Sequence, residues 1–212
     1  MNSLLTAPRT RSLLERPIDA VLPSTGVGKD ALLIEQRLKS MRTLLTGAFS
    51  ELTTVRDSDA KGRPIEVQLC EKAASLKRLA ATVAMHLDAE WRGRLFTRLD
   101  QLLDPIDWES DFELPSEQSF STFLRMIIYL HPTRWPGIGL SAGGHFLASW
   151  VCGSDRIIIE CLRNDEVRWV LSRTVDGDRE SGAGKLQLHR IPEVTAGYHP
   201  EPLFNNGEKL LA

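Results

Sequence analysis

The sequence predicts an α+β protein, with an N-terminal helical hairpin or bundle of three to four helices followed by a three- to five-stranded antiparallel β-meander. Three observations predict it. Apolar residues recur at spacings of four and three through the front half, the period becomes two after Gly137, and Gly153-Ser154 and Asn164-Asp165 are two-residue connections of the kind that close tight hairpins.

Residues 1–28 carry Pro8, Pro17, Pro23, Gly26 and Gly28 and read as an irregular, mobile tail. From Asp30 the stripe Ile34, Leu38, Met41, Leu45, Ala48 and Leu52 predicts a first amphipathic helix. Pro64 suits the first turn of a second, whose stripe is Leu69, Ala73, Leu76, Ala80, Val83 and Leu87. The two stripes form the expected antiparallel hairpin within a helical region, 29–104. Asp88 is placed to cap a third helix, with Trp91, Leu95, Leu99 and Leu102 on one side and Pro105 ending it.

Residues 105–118 form a linker holding the acidic string DWESDFELPSE, with Asp107, Glu109, Asp111, Glu113 and Glu117 and no base. A fourth helix follows over about 119–130, with Phe120, Phe123, Leu124, Ile127 and Ile128 apolar, and opens a helix-plus-sheet domain, 119–212. Strands are expected near 145–152, 155–163 and 166–173, with weaker candidates near 138–142 and 185–190.

The two turns fix a register. Trp150 lies opposite Ile157, Ala148 opposite Ile159, Phe146 opposite Cys161, Cys161 opposite Arg168 and Ile159 opposite Val170. One face, the core candidate, then carries Phe146, Ala148, Trp150, Ile157, Ile159, Cys161 and Val170. The other is mixed: His145, Leu147, Ser149, Arg156, Ile158, Glu160, Leu162, Trp169 and Leu171. Glu160 falls between Leu147 and Trp169, with His145 on the diagonal; it reads first as part of a solvated strand face with a weak His–Glu contact, and in the rival reading as a proton acceptor set between apolar neighbours.

The chain has 212 residues, 42% hydrophobic and 25% charged, with formal net charge −2. That balance gives no global attraction to nucleic acid or membrane, and no apolar run reaches the roughly 18 residues a bilayer span needs. The N-terminal Arg9 and Arg11 follow Leu4 and Leu5 instead of preceding a long apolar stretch, unlike a secretory signal. Cys70, Cys152 and Cys161 are odd in number with no CxxC, which disfavours a disulfide scaffold and fits a reducing cytoplasm. The five histidines show no metal-ligand spacing, so neither a metal nor a cofactor is expected. Pro23–Lys29 and Ser181–Lys185 look like fragments of phosphate loops, yet both lack the hydroxyl after lysine and the strand–loop–helix setting. Leu140–His145 reads as a strand-connecting turn.

The stretch Trp135 to Arg173 resembles a β-meander found in many small bacterial proteins without established activity, on Pro136, Gly144, Trp150, Ile159-Glu160 and Trp169. The resemblance covers about forty residues and implies no functional residue. What it implies about context is accessory, mobile-element or toxin–antitoxin gene neighbourhoods.

The expected function is a non-enzymatic protein-interaction module of adaptor, regulatory or antitoxin type in a bacterial cytoplasm. Its expected partner is a protein or, through the front helices, a second copy. The candidate partner-binding residues are Trp108, Asp111, Phe112 and Glu113 in the acidic strip and Trp169 on the mixed face. The strip has a second reading as a solvated linker pinned by Trp108 and Phe112, and as a docking strip it would meet a basic partner or mimic nucleic-acid charge. No catalytic set is expected; the rival reading is an enzyme or small-ligand binder using His145 and Glu160, with Arg156 or Arg173. The proline-bracketed tail Gly197–Phe204 offers Tyr198, Leu203 and Phe204 for packing on the domain or on a partner.

Overall fold

The computed structural model describes residues 62–109 and 111–205, with Gln36, Ser40 and Thr43 as three further helical positions. The expected helix over Ile34–Leu52, its hairpin with the second helix and the Pro23–Lys29 string otherwise lie outside the described residues. The described chain is α+β, helices packed on a five-stranded antiparallel sheet.

Helix α1 spans Ile65–Thr82 with Pro64 at its N-cap position, and α2 spans Ala89–Leu102. Asp88 occupies the N-cap position of α2, but its side chain makes no capping bond. The pair buries Leu69, Leu76, Leu79, Leu95 and Leu99, and Lys77 reaches Asp100 at 2.5 Å. Helix α3 spans Glu117–Leu130; Ser116 Oγ accepts from Ser119 N at 3.3 Å, and His131 closes the helix in the left-handed region. Every residue of α3 from Ser119 to Ile128 is buried, because α1 packs on one side of it and the sheet on the other.

Strands β1 (Gly137–Leu140), β2 (Phe146–Cys152), β3 (Asp155–Cys161), β4 (Glu166–Val175) and β5 (Asp178–Gln187) lie in sequence order. Phe146 touches both Phe120 and Phe123 of α3, with ring centroids 4.8 and 5.9 Å apart. Short helices α4 (Ile191–Thr195) and α5 (Glu201–Phe204) follow the sheet. The tail packs on the domain: Phe204 meets Trp150 edge-on at 4.9 Å, and Arg134 N donates to the Phe204 carbonyl.

The β2–β3 register is the expected one, with Trp150 opposite Ile157 and Ala148 opposite Ile159. The ladder stops at Leu147–Glu160. At the next position Phe146 N–H donates to Ser119 Oγ at 2.7 Å, and Ser119 O–H donates to the Cys161 carbonyl at 2.5 Å, so a helix hydroxyl stands in for a sheet rung. Ser119→Ala strands both backbone groups in the core and is expected to cost about 1–3 kcal/mol in urea unfolding. A loss below about 0.5 kcal/mol would show that the two groups find each other.

The β3–β4 register differs from expectation by one residue. Ile159 faces Trp169, Glu160 faces Arg168 and Cys161 faces Val167. Asn164 and Asp165 do form the tight turn, both at φ near 59°. However, Leu162 N bonds the Glu166 carbonyl while Glu166 N bonds the Arg163 carbonyl, so Leu162 and Arg163 together oppose Glu166. That extra residue is a β-bulge. It turns Val167, Trp169 and Leu171 to the core and Val170 to the outer face, reversing their expected placement.

The β4–β5 hairpin turns on Asp176-Gly177, both at positive φ. The Ser181–Lys185 string lies within β5. Trp169, opposite Gly184, lays its indole across Gly182 and Gly184; a Cβ on Gly184 would sit 3.2 Å from its Nε1, and one on Gly182 2.9 Å from Tyr198 Cζ. The glycines are there for close aromatic packing, not for phosphate.

Candidate functional site

The outer face of the sheet is the side away from α3. Its cross-strand rows follow from the register. One row runs Gly139, Leu147, Glu160, Arg168 and Lys185; the next runs Gly137, Ser149, Ile158, Val170 and Ala183; a third runs Val151, Arg156, Ser172 and Ser181.

The first row holds a chain of polar contacts. His145 Nδ1 lies 3.0 Å from Glu160 Oε1, and Arg168 Nη1 donates to Glu160 Oε2 at 2.9 Å. Beside it Lys185 Nζ reaches Glu166 Oε2 at 2.8 Å. The structure therefore brings His145 and Glu160 together as the β2–β3 register required. Trp169 does not flank Glu160; the bulge puts Arg168 there, so the apolar pair expected to act on the carboxyl is replaced by Leu147 and a guanidinium. Chemically the chain orients an imidazole through a carboxylate.

The second row is apolar and open at Ile158, Val170 and Ala183, and Val151 of the third row lies beside it. Val151 is 61% exposed, Val170 47% and Ile158 37%, and Ile158 and Val170 are direct cross-strand neighbours. With Leu147 and Ala183 they make a ribbon about 14 Å long across four strands. Arg156 is exposed beside it with no partner among the described residues. Arg173, the other arginine of the rival reading, faces inward and bonds the Tyr198 carbonyl at 2.8 Å and Asp155 at 3.4 Å. The Thr174 N–H, chiefly, and the Arg173 guanidinium hold the Asp155 carboxyl below the usual carboxylate range.

The acidic strip lies elsewhere. Asp107, Glu109, Asp111 and Glu113 are exposed, while Trp108 and Phe112 are half-buried and meet edge-on at 6.3 Å. Glu117 is used internally, accepting from Ser75 at 2.7 Å and Lys72 at 3.3 Å. Two backbone bonds tie the strip to the β1–β2 turn: Glu113 N to the Ala142 carbonyl at 2.8 Å and Ser116 N to the Gly144 carbonyl at 2.9 Å. Trp108 and Phe112 thus meet, with Asp111 and Glu113 exposed next to them in the chain. Trp169 is not among them: it is 3% exposed, beneath β5.

A shallow cleft between the α1–α2 connection and the end of α3 is lined by His86, Asp88, Trp91 and His131, with neither His145 nor Glu160 in it. Among the described residues no cluster of three metal-binding side chains occurs. No described helix is long and apolar enough to cross a membrane. All three cysteines are free thiols, and burial pushes the Cys161 thiol up. The sequence reading missed Arg168 as the partner of Glu160 and the joined ribbon of Ile158 and Val170; both depend on the bulge. Compared with protein-family models, curated proteins and solved structures, the chain matches none.

Proposed function

We propose that this chain is a non-enzymatic protein-interaction module of adaptor, regulatory or antitoxin type, acting in a bacterial cytoplasm, with the outer sheet face as its principal docking surface. The observation that supports it is the open apolar ribbon of Val151, Ile158 and Val170, flanked by Arg156 on one side and by the Glu160 and Arg168 pair on the other. An apolar centre with a charged rim is the usual anatomy of a protein contact. The strip of Trp108, Asp111, Phe112 and Glu113 is the second surface of this reading.

The test compares the full chain with an Ile158→Asp/Val170→Asp variant as bait in lysate of the native host. Both side chains are already exposed, so the variant should melt within a few degrees of the parent, ~3 °C. A partner retained by the parent and lost by the variant is the expected result. Equal retention by both, or a parent that elutes alone, overturns this reading.

A second reading rests on the chain from His145 through Glu160 to Arg168, which orients an imidazole at the surface. It makes the face a small-ligand or catalytic site. A ligand whose binding is abolished by both His145→Ala and Glu160→Gln, and untouched by Ile158→Asp/Val170→Asp, would favour it.

A further inference from the structure

We propose that the free edge of β5 is a strand-addition site that takes an extended peptide segment of a partner protein, acidic on one side and apolar on the other. The inference rests on the interaction-module reading and gives that module a third contact with its own chemistry.

The argument begins at the turn. Val175 and Asp178 flank the two-residue Asp176-Gly177 connection and are the first pair of the hairpin. In such a hairpin the flanking residues exchange both backbone bonds, and bonded pairs then alternate along the ladder. Even-numbered residues of β5 are thereby committed to β4. Arg179, Ser181, Ala183, Lys185 and Gln187 turn their N–H and C=O groups away from it. All five are exposed, and among the described residues no strand pairs with this edge. The result is a ten-residue edge offering main-chain donors and acceptors to an extended backbone.

The edge differs from a merely unpaired one in what lies beneath it. Gly182 and Gly184 leave the inner side of β5 bare between Glu180 and Leu186, and Trp169 and Tyr198 form an aromatic floor there, 6.2 Å apart edge-on. Trp169 Nε1, buried under Gly184, is the one buried side-chain polar atom with no hydrogen-bond partner among the described residues. An indole N–H in that position ordinarily has an acceptor. A strand laid along β5 would bring its inner side chains over the aromatic floor and an oxygen within reach of that N–H. Its outer side chains would run beside Arg179, which donates to the Ser154 carbonyl at 3.1 Å, and Lys185, which pairs with Glu166 at 2.8 Å; two bases against one carboxylate leave net positive charge there, so acidic residues fit.

The test uses the full chain and three blocked ten-residue peptides: alternating glutamate and valine, alternating lysine and valine, and the glutamate peptide N-methylated at every second residue. Binding is followed by amide hydrogen exchange and by the Trp169 indole proton resonance. The glutamate peptide should slow exchange at Ser181, Ala183 and Lys185 by about tenfold or more and shift the indole proton. The lysine and N-methylated peptides should bind at least about tenfold more weakly. Ala183→Pro removes an outward N–H without touching a β4 bond and should weaken the glutamate peptide by a similar factor.

Equal binding of the three peptides, no response to the glutamate peptide, or a response confined to Ile158 and Val170 overturns the proposal. So does a parent chain that dimerises through this edge and becomes monomeric with Ala183→Pro, since the occupant is then a second copy. The proposal can fail while loss of a partner with Ile158→Asp/Val170→Asp still upholds the interaction reading, and the reverse holds equally.

Discussion

Gly144→Ala is expected to destabilise the protein by about 3 kcal/mol or more. Gly144 sits at φ +69°, where an L side chain is strained. There is also no room: an added Cβ would collide with the Leu114 carbonyl oxygen and lie 3.1 Å from that of Glu113. Both obstacles are backbone, which cannot rotate aside. Relief requires parting the 141–145 turn from the acidic strip, which breaks the bonds from Glu113 N to Ala142 and from Ser116 N to Gly144. The second of these anchors the residue that caps α3, so the damage reaches the central helix. Gly143→Ala is the control, because its nearest neighbour is the His145 ring at 3.8 Å and its φ is ordinary. Urea unfolding of the two variants should separate them clearly. Similar values for both would mean that the strip yields without loss.

Asp165→Asn is expected to cost about 2 kcal/mol. Arg125 is buried in α3, donates to Asp165 in the β3–β4 turn and to Ser121 Oγ at 2.8 Å, and has Thr122 Oγ1 at 3.4 Å. The pair is shielded, with side-chain exposures of 10% and 19%, so loss of the carboxylate leaves a buried guanidinium with neutral acceptors and no counter-charge. Asparagine tolerates the left-handed backbone of this position, so the measured loss reports the charge and not the turn. Adding Arg125→Met should recover much of the stability, since an apolar side chain of similar length needs no counterion. A double variant as weak as Asp165→Asn alone would place the cost in the hydroxyls or the helix.

Much of this fold was legible because local chemistry and tertiary packing agree. The apolar run of α3 marks a buried helix, whose start at Glu117 behind the Ser116 cap lies two residues before the expected one, and the Gly153-Ser154 turn fixes β2 against β3. That register alone is enough to join His145 to Glu160. What was not legible has a physical cause. Leu162 and Arg163 carry no glycine or other mark of a bulge, so counting from Asn164-Asp165 put Trp169 on the wrong face and hid Arg168. The front half of β5 shows no apolar alternation, because its inner side is covered by Trp169 and Tyr198 instead of by its own side chains. The Asp176-Gly177 pair was the available signal for it. The five candidates in the acidic strip and sheet were chosen by composition, which can find Trp108 and Phe112 but cannot show that Trp169 is covered.

A strand assigns its faces by counting, and the bulge at Leu162–Arg163 is one residue that the count skips. Everything downstream takes its parity from that skip, so the hairpin works as a frame-setter for half the sheet. Were the bulge ironed out with both residues kept, Arg163 would pair with Glu166 and Cys161 with Arg168, turning Trp169 and Leu171 to water and bringing Arg168 and Val170 inward. The β5 partners would follow, with Ser181 and Ala183 turned inward in place of Gly182 and Gly184, some twenty residues away. Deleting one of the two residues, by contrast, leaves Cys161 opposite Val167 and every face as it is, so the frame is set by how this corner pairs and not by its length.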